Sequence, residues 1–502
     1  MTAPHRIGKH TLVWLDGDGR WARGTSAVVH DGDEGLLVNA RRDRPHTEQL
    51  LEAARAALPD VHIGHLVVTD AATHRHGGHA ALAGAEVHVS TRVAAEIAAG
   101  PGPVTAEPNS LLDTYLRRAL AGFEPPAPVF APGTTFDGCT TVKLGTVPVE
   151  LIDLGPAQSS ADTAVWLPDD ETLITGDLLS PGTHPAQWSG STERWHAVCA
   201  DLASMRPANV VPGRGPLTGV AGILEFRNYL EHLLVETRRR FDRGMPIEET
   251  AVDLPLRHWA DWGCRENLAI TVAHLYHEFG GDPTPPAAAL TLAAEIAGGL
   301  RRPPRVRPYA PVDRDPVTDE RLALTEGASA IWDEHRAQTP NILLALVRHP
   351  HLYEQTVPIA RGVVTGVLPA RDREIVILRG AWNCTAPYQW NHHLPIAASA
   401  GLSAAEIDAL SHPVGAGTWS PREQVLITAL DELHEWSTVT DETWRALAAH
   451  YSPVELIELV TLCGEYRKIS FQVNAWRMPL EPWAGPYRLP SGWPGDRPGR
   501  SG

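Results

Sequence analysis

The spacing of hydrophobic residues changes along this chain of 502 residues. Before about residue 280, short β-branched segments with alternating apolar and polar residues are separated by turns, which predicts paired strands. Residues 46–58 and 222–244 lie among them with apolar residues three and four positions apart, the spacing of an amphipathic helix. The predicted strands cover residues 11–17, 25–32, 35–40, 65–69, 86–90, 141–145, 147–155, 163–168, 171–177 and 209–213.

Beyond residue 315 the pattern is helical throughout. Three segments begin with a serine followed three residues later by a glutamate, namely Ser403 with Glu406, Ser420 with Glu423, and Ser452 with Glu455. In such a capping box the serine accepts a hydrogen bond from the first turn, and the glutamate accepts one from the amide of the cap residue. Pro421 and Pro453 occupy the first helical position, where no amide hydrogen is missed. The pattern predicts an all-α domain.

A proline-dense stretch separates the two patterns. Segments such as 301–316 favour extended chain rather than a regular element, although residues 288–300 could form one short helix. We therefore predict a first domain at 1–282, a linker at 283–315, a helical domain at 316–490 and a tail at 491–502.

Charge and composition narrow the classes of partner. The net charge of −17 argues against nucleic acid and against anionic membranes. We find no apolar run of the ~18–20 residues needed to span a bilayer, and no secretory signal at the start of the sequence. The five cysteines are scattered and never form a Cys-x-x-Cys pair, which is typical of reduced thiols. We expect a cytoplasmic protein that acts on a small molecule, with no nucleic-acid or membrane partner.

The segment at 65–79, HLVVTDAATHRHGGH, resembles the metal loop of the metallo-β-lactamase family. That family has a buried strand ending in Val-Thr, then His-x-His-x-Asp-His, then a Gly-Gly helix start. Without gaps, the ligand positions fall on Asp70, Ala72, His74 and Arg75. A second register on His74, His76 and His79 keeps three histidines but places Gly78 at the aspartate position and breaks the match on both flanks. The resemblance implies an αββα sandwich over roughly residues 6–281.

The remaining family ligand positions are also altered. Gln158 stands where a histidine is expected, Asp177 matches the bridging aspartate, and Arg214 replaces the last histidine. Arginine cannot ligate, because its guanidinium stays protonated and has no free acceptor. We expect ion pairs of Arg75 and Arg214 with Asp70 and Asp177, and no certain cofactor. A single divalent metal, such as zinc, on Asp70, His74 or His76, and Asp177 stays open as the alternative.

Residues 371–410 are similar to the carboxymuconolactone decarboxylase and alkylhydroperoxidase-D-like family, and the likeness extends over roughly 318–482. Peroxidase members carry a glutamate, a Cys-x-x-Cys pair and a histidine. Glu374 and His393 match the two ends of that relay, but the cysteine positions fall on Ala386 and Gln389. The resemblance therefore implies no disulfide-cycling peroxidase.

The resemblance leaves a set of candidate catalytic and substrate-binding residues. His393 is predicted as the general acid or base, Glu374 as its partner, and Tyr388 as the hydrogen-bond donor to a developing oxyanion. Trp390 would supply a flat apolar wall for the substrate, and Cys384 lies nearby. The structural alternatives are a satisfied interior histidine at 393, core or interface aromatics at 388 and 390, and a small buried thiol at 384. His392 is expected to be exposed.

Three hypotheses of function follow. The first is a small-molecule enzyme that uses acid–base chemistry on an apolar or aromatic substrate, as a decarboxylase, lyase or isomerase, or by lactone or acyl hydrolysis. The second is a metal-dependent hydrolase with a rearranged mononuclear site in the first domain. The third gives that domain a non-catalytic role in binding or assembly. The family resemblance also implies a homo-oligomer.

Overall fold

The structure is a computed structural model. It describes residues 3–15, 22–100, 104–126, 130, 133–309, 314–323, 339–481, 484–490 and 493. The chain forms two compact units, residues 1–294 and 295–502. The division between them falls inside the predicted linker, within a helix at Pro286–Ala297. The predicted tail at 491–502 lies outside the described residues except for Trp493.

The first unit contains two mixed sheets. The first has the order β1-β2-β3-β4-β5-β6-β7, antiparallel up to β4 and parallel from there on. The second has the order β12-β11-β10-β9-β8, with one parallel pair, β11 and β12. The strands are β1 (His5–Ile7), β2 (Thr11–Trp14), β3 (Ser26–Asp31), β4 (Glu34–Val38), β5 (His62–Val67), β6 (Glu86–Ser90), β7 (Thr134–Phe136), β8 (Cys139–Leu144), β9 (Val147–Gly155), β10 (Asp162–Leu167), β11 (Thr172–Ile174) and β12 (Asn209–Val211).

Helices cover the sheets. In this unit they are α1 (Arg44–Ala57), α2 (Thr73–His76), α3 (Thr91–Ala99), α4 (Leu111–Ala119), α5 (Thr192–Ser204), α6 (Val220–Phe241), α7 (Ile247–Asp253), α8 (Leu268–Glu278) and most of α9 (Pro286–Ala297), which crosses the boundary between the units. Leu50 of α1 and Val93 of α3 pack on the outer face of the first sheet. Trp195 of α5 donates a hydrogen bond to the carbonyl of Leu178, just beyond β11 of the second sheet.

An apolar core lies between the two sheets. Val38 and Val67 of the first sheet join Val149 and Val165 of the second in one buried cluster. Successive side chains of a strand point to opposite faces of the sheet, so the other face of the first sheet packs against the helices. The predicted αββα sandwich is therefore confirmed. Sequence analysis missed β1 and β7, both three residues long.

The described part of the second unit is helical. Its helices are α10 (Pro316–Ala323), α11 (Asn341–Leu346), α12 (Pro350–Val364), α13 (Ala370–Asn383), α14 (Pro387–Ser399), α15 (Ala404–Ala409), α16 (Pro421–Trp436), α17 (Asp441–Ala448) and α18 (Pro453–Trp476). All three predicted capping boxes are present with both reciprocal hydrogen bonds. The predicted all-α domain is confirmed. Among the helices described, none is long and apolar enough to cross a membrane.

From the capping box of Ser403 and Glu406 we predict that the stability of the protein depends on pH. The hydrogen bond from Arg371 and those from Ser403 lower the pKa of Glu406 to about 2. Because the pKa is depressed in the folded state, this stabilisation is present above pH 4.5 and is lost as the pH falls towards 2. We expect Glu406→Gln to lower the stability of the full chain by about 1 kcal/mol at pH 7 and to reduce its loss between pH 4.5 and 2. Urea unfolding at several pH values measures both, and an unchanged acid dependence would contradict the assignment.

Candidate functional site

A cavity of about 140 Å³ lies within the helical domain. Its apolar walls include Leu343 and Leu346 of α11, Val357 and Val364 of α12, and Ile469 of α18. An engineered cavity of about 150 Å³ accepts benzene, so this volume suits a compound with a single ring. Polar groups reach the cavity from α12, α14 and α18, and they are Thr356, Arg361, Tyr388, Gln389, His392, His393, Glu465, Tyr466 and Gln472.

His393 and Glu374 form a buried pair at this cavity. Nδ1 of His393 lies 2.8 Å from Oε2 of Glu374, and both residues are almost fully buried. A carboxylate only accepts, so Nδ1 carries the hydrogen, and in the neutral imidazole Nε2 then has the lone pair. No hydrogen-bond partner contacts Nε2 among the residues described. The pair thus leaves a basic nitrogen available on a residue that lines the cavity.

Tyr466 lies beside that histidine. Its ring meets the His393 ring edge to face, with centroids 5.2 Å apart. Burial, together with the charge of Glu374, raises the pKa of Tyr466, so its phenol stays protonated. Its hydroxyl has no hydrogen-bond partner in the described part of the chain. Sequence analysis missed Tyr466, and the available signal was a tyrosine on the same face of α18 as Leu459, Leu462 and Val473.

A second polar cluster lies around Glu481, which contacts Tyr388 and His392 of α14. Nε2 of His392 lies 2.5 Å from Oε2 of Glu481, and the Tyr388 hydroxyl donates to Oε1 at 2.6 Å. The backbone amide of Asn341 donates to the same oxygen at 2.5 Å. Burial acts to raise the pKa of Glu481, but His392 and these donors outweigh it, so the net pKa is lowered. The cluster is a buried carboxylate with three donors.

Two expectations change in consequence. His392 is buried and lines the cavity, so its expected exposure is wrong; α14 is buried all round at this point. Tyr388 does line the cavity, but its hydrogen is already donated to Glu481. Glu481 was missed, and its signal was a lone carboxylate in the apolar stretch at 478–483.

Trp390 and Cys384 do not line the cavity. Trp390 points into the core of the helical domain, where its ring packs edge to face on Trp493. Cys384 follows α13, and its Sγ lies 4.0 Å from Nδ1 of His434. Burial raises the pKa of the Cys384 thiol, which disfavours the reactive thiolate.

The arginine-rich cluster of the first domain contains Asp70, His74, Arg75, Asp177 and Arg214. The Arg75 guanidinium is fully buried and donates a hydrogen bond to Asp177 from Nη2, while its Nε lies 3.3 Å from Oδ2 of Asp70. Nε of Arg214 lies 3.3 Å from Oδ1 of Asp177. The expected ion pairs of Asp70 and Asp177 are therefore present, with Arg75 contacting both.

The local chain makes room for this guanidinium. A Cβ added at Gly24 would lie 2.6 Å from Nη1 of Arg75, and one added at Gly213 would lie 2.4 Å from Nη2. Nη1 donates to the carbonyl of Thr25 at 3.2 Å. The arginine thus occupies a slot that two glycines and a backbone carbonyl shape for it.

His74 lies at the edge of the cluster. Its Nε2 is 3.1 Å from both Oδ2 of Asp177 and Nη2 of Arg214. Burial and the charges of Arg75 and Arg214 lower its pKa to about 3, so the ring is neutral and Nε2 makes one of these two hydrogen bonds at a time.

The side chains present do not fit a zinc ion at this position. The charges of Arg75 and Arg214 hold the pKa of Asp177 well below its usual range against the effect of burial. The carboxylate is therefore ionised, and the two arginines already balance its negative charge. Zinc requires several nitrogen, sulfur or oxygen donors around one point, and here two guanidinium groups contact the shared aspartate instead.

The other candidates of this region lie apart from the cluster. Nε2 of His76 contacts the carbonyl of Ala71 at 3.2 Å, and its ring lies against Phe130. Ala72 precedes α2 as its cap residue and offers no ligand atom. Gln158 donates from Nε2 to the carbonyl of Ala186 at 3.2 Å.

Comparison with known proteins gave one family match and several similar solved structures. Residues 350–432 match the model of the carboxymuconolactone decarboxylase family. Similar solved structures include a metallo-β-lactamase from Pontibacter korlensis, with 18% identity, a TM-score of 0.35, and coverage of 45% of this chain and 98% of that one. Another is the metallo-β-lactamase FIM-1 from Pseudomonas aeruginosa in its mono-zinc form, with 18% identity, a TM-score of 0.36 and coverage of 45% and 94%. A search of curated proteins gave no match.

The chain is a two-domain fusion of a mixed-sheet sandwich and a helical domain. Its first domain is the αββα sandwich described above, and residues 350–432 of its second domain match the carboxymuconolactone decarboxylase family model.

Proposed function

We propose that the helical domain is a small-molecule enzyme that transfers protons on an apolar or aromatic carbonyl compound. The observation that carries the proposal is the His393–Glu374 pair, whose Nε2 has no partner among the described residues and belongs to a residue lining an apolar cavity. A histidine oriented by a carboxylate is a typical general base. The family match over 350–432 supports the same domain as the site of chemistry.

In this mechanism Nε2 of His393 removes a proton next to a carbonyl group, or returns one to a carbanion left by loss of carbon dioxide. Glu374 holds the ring through Nδ1 and stabilises the imidazolium that forms. Negative charge develops on the carbonyl oxygen, and we assign its hydrogen bond to Tyr466, because the Tyr388 hydroxyl already donates to Glu481. Tyr388 and His392 then act as positioning residues in the cavity wall.

The cavity limits the substrates to be tested. Its volume and walls favour single-ring aromatic keto acids and small lactones. The test is to incubate the untagged full-length protein in D₂O with a panel of such compounds and to monitor the reactions by proton NMR. We expect exchange of the proton next to the carbonyl, decarboxylation or ring opening. Chelator-sensitive hydrolysis that survives His393→Gln would contradict the proposal and favour a hydrolase in the first domain.

Substitution of Tyr466 tests the assignment of the oxyanion donor. We expect Tyr466→Phe to lower kcat by about 10²–10³-fold with little change in KM, because the hydrogen bond forms in the transition state. Tyr388→Phe is the matched control, and it should lower the melting temperature more than the turnover because it removes a donor to buried Glu481. The reverse ranking of the two variants would return the donor role to Tyr388.

We propose a binding or assembly role for the first domain. Its arginine-rich cluster supports this role, because Arg75 and Arg214 balance the charge of Asp177 in place of a metal ion. A metal-dependent hydrolase at Asp70, His74 and Asp177 is less well supported for the same reason. The homo-oligomer that the family resemblance implies stays a prediction.

A further inference from the structure

Three potential metal ligands meet on the first sheet, and they share no residue with the arginine-rich cluster. His65 lies on β5, and Glu86 and His88 lie on β6. The two strands are parallel, with His65 paired to Glu86 and Val67 paired to His88. Paired residues, and residues two apart along a strand, project from the same face of a sheet. The register therefore brings the three side chains together.

Their distances match those around a single ion. Nδ1 of His65 lies 3.0 Å from Nε2 of His88, and Oε2 of Glu86 lies 3.7 Å from the first nitrogen and 3.9 Å from the second. A triangle with these sides has its centre about 2.1 Å from each corner, which is the length of a zinc–nitrogen or zinc–oxygen bond, about 2.0–2.2 Å.

The donors also suit a cation chemically. Two imidazole nitrogens and one carboxylate oxygen are donor types that zinc accepts. Without an ion, two ring nitrogens 3.0 Å apart share one hydrogen, so only one lone pair is available. A cation at the centre of the triangle would engage both lone pairs and the carboxylate at once.

A neighbouring strand orients the carboxylate. The Thr134 hydroxyl of β7 donates to Oε1 of Glu86 at 2.5 Å, which leaves Oε2 directed towards the two histidines. Such outer hydrogen bonds are a regular part of protein metal sites, and losing one typically weakens binding by about 10–100-fold. The side chains of His65 and Glu86 are 27% and 49% exposed, so an ion can enter from solvent.

We propose that His65, Glu86 and His88 bind one divalent cation, with zinc preferred and water completing the coordination. The ion would join β5 to β6 directly, and β7 to both through Thr134. This site is independent of the catalytic proposal, because all its residues lie in the first domain.

The test is metal binding by the untagged, chelator-treated full-length protein. Calorimetric titration with zinc chloride should show one equivalent that binds more tightly than the rest, and cobalt should give the visible absorption of a low-coordinate site. We expect Glu86→Gln and His65→Asn to weaken this equivalent by at least about tenfold, and Thr134→Val by about 10–100-fold. Zinc should raise the melting temperature of the wild type but not of Glu86→Gln.

Two further variants make the test specific. His62→Asn removes an exposed histidine from the same strand and should leave the binding unchanged. His74→Asn should also retain it, because the arginine-rich cluster is not the proposed site. Binding that is lost in His74→Asn but kept in His65→Asn would overturn the proposal. Equally weak binding by all variants would also overturn the proposal, because it would indicate adventitious binding to surface histidines.

Discussion

His393→Gln is expected to lower turnover by about 10²–10⁴-fold, the usual contribution of a general acid or base. Glutamine keeps the size of the side chain and a hydrogen bond to Glu374, but it cannot exchange a proton near neutral pH. The loss should fall on kcat rather than KM, because the cavity walls remain in place. Steady-state kinetics on a substrate found by the exchange screen measures it, together with the melting temperature.

The controls separate chemistry from folding. His450→Gln alters an exposed histidine of the same domain and should keep wild-type turnover. Cys384→Ala should do the same, because the thiol lies off the cavity and no thiol occupies the paired positions at 386 and 389. Full activity in His393→Gln with an unchanged melting temperature would reduce His393 to an interior histidine.

Arg75→Met is expected to destabilise the first domain by about 3–5 kcal/mol. The substitution removes a fully buried guanidinium that contacts Asp70 and Asp177, and it leaves these carboxylates without their main counter-charge. Asp177→Asn in the same background should restore part of the loss, because a neutral amide no longer requires the cation. Hydrogen exchange of the full chain, followed on peptides from β5 and β11, reports the stability of this domain locally.

Arg194→Met is the matched control. Arg194 lies on α5 of the same domain with a side chain that is 51% exposed, and its ion pair with Asp201 is 3.9 Å long. Its loss should cost no more than about 0.5 kcal/mol. If Arg75→Met costs as little as Arg194→Met, the buried arginine does not neutralise the two aspartates.

The sequence predicted those features that depend on local pattern. Alternation identified most strands of the sandwich, and the serine–glutamate spacing located three helix starts that the structure confirms. The family resemblance also brought Glu374 and His393 forward as partners, and their atoms lie 2.8 Å apart. The roles of these residues stay predictions.

The orientation of α14 could not be read in the same way. Residues 388–393 are all buried, so the helix has no polar face that would reveal which side chains meet the cavity. Trp390 was therefore assigned to the substrate and His392 to solvent, whereas the first packs in the core and the second lines the cavity. Glu481 reaches α14 from beyond the last helix, a contact that no sequence periodicity encodes.

The slot around Arg75 has a consequence for how the first domain depends on its surroundings. The occupancy of an exchangeable ion follows its free concentration, so a domain held together by one gains and loses stability by mass action. A guanidinium attached to the backbone is present once per molecule at any metal concentration. Its contribution cannot be removed by a chelator, and it was fixed when the chain was synthesised. The positive charge beside Asp177 is therefore part of the polypeptide itself and does not depend on how much metal is available in the cell.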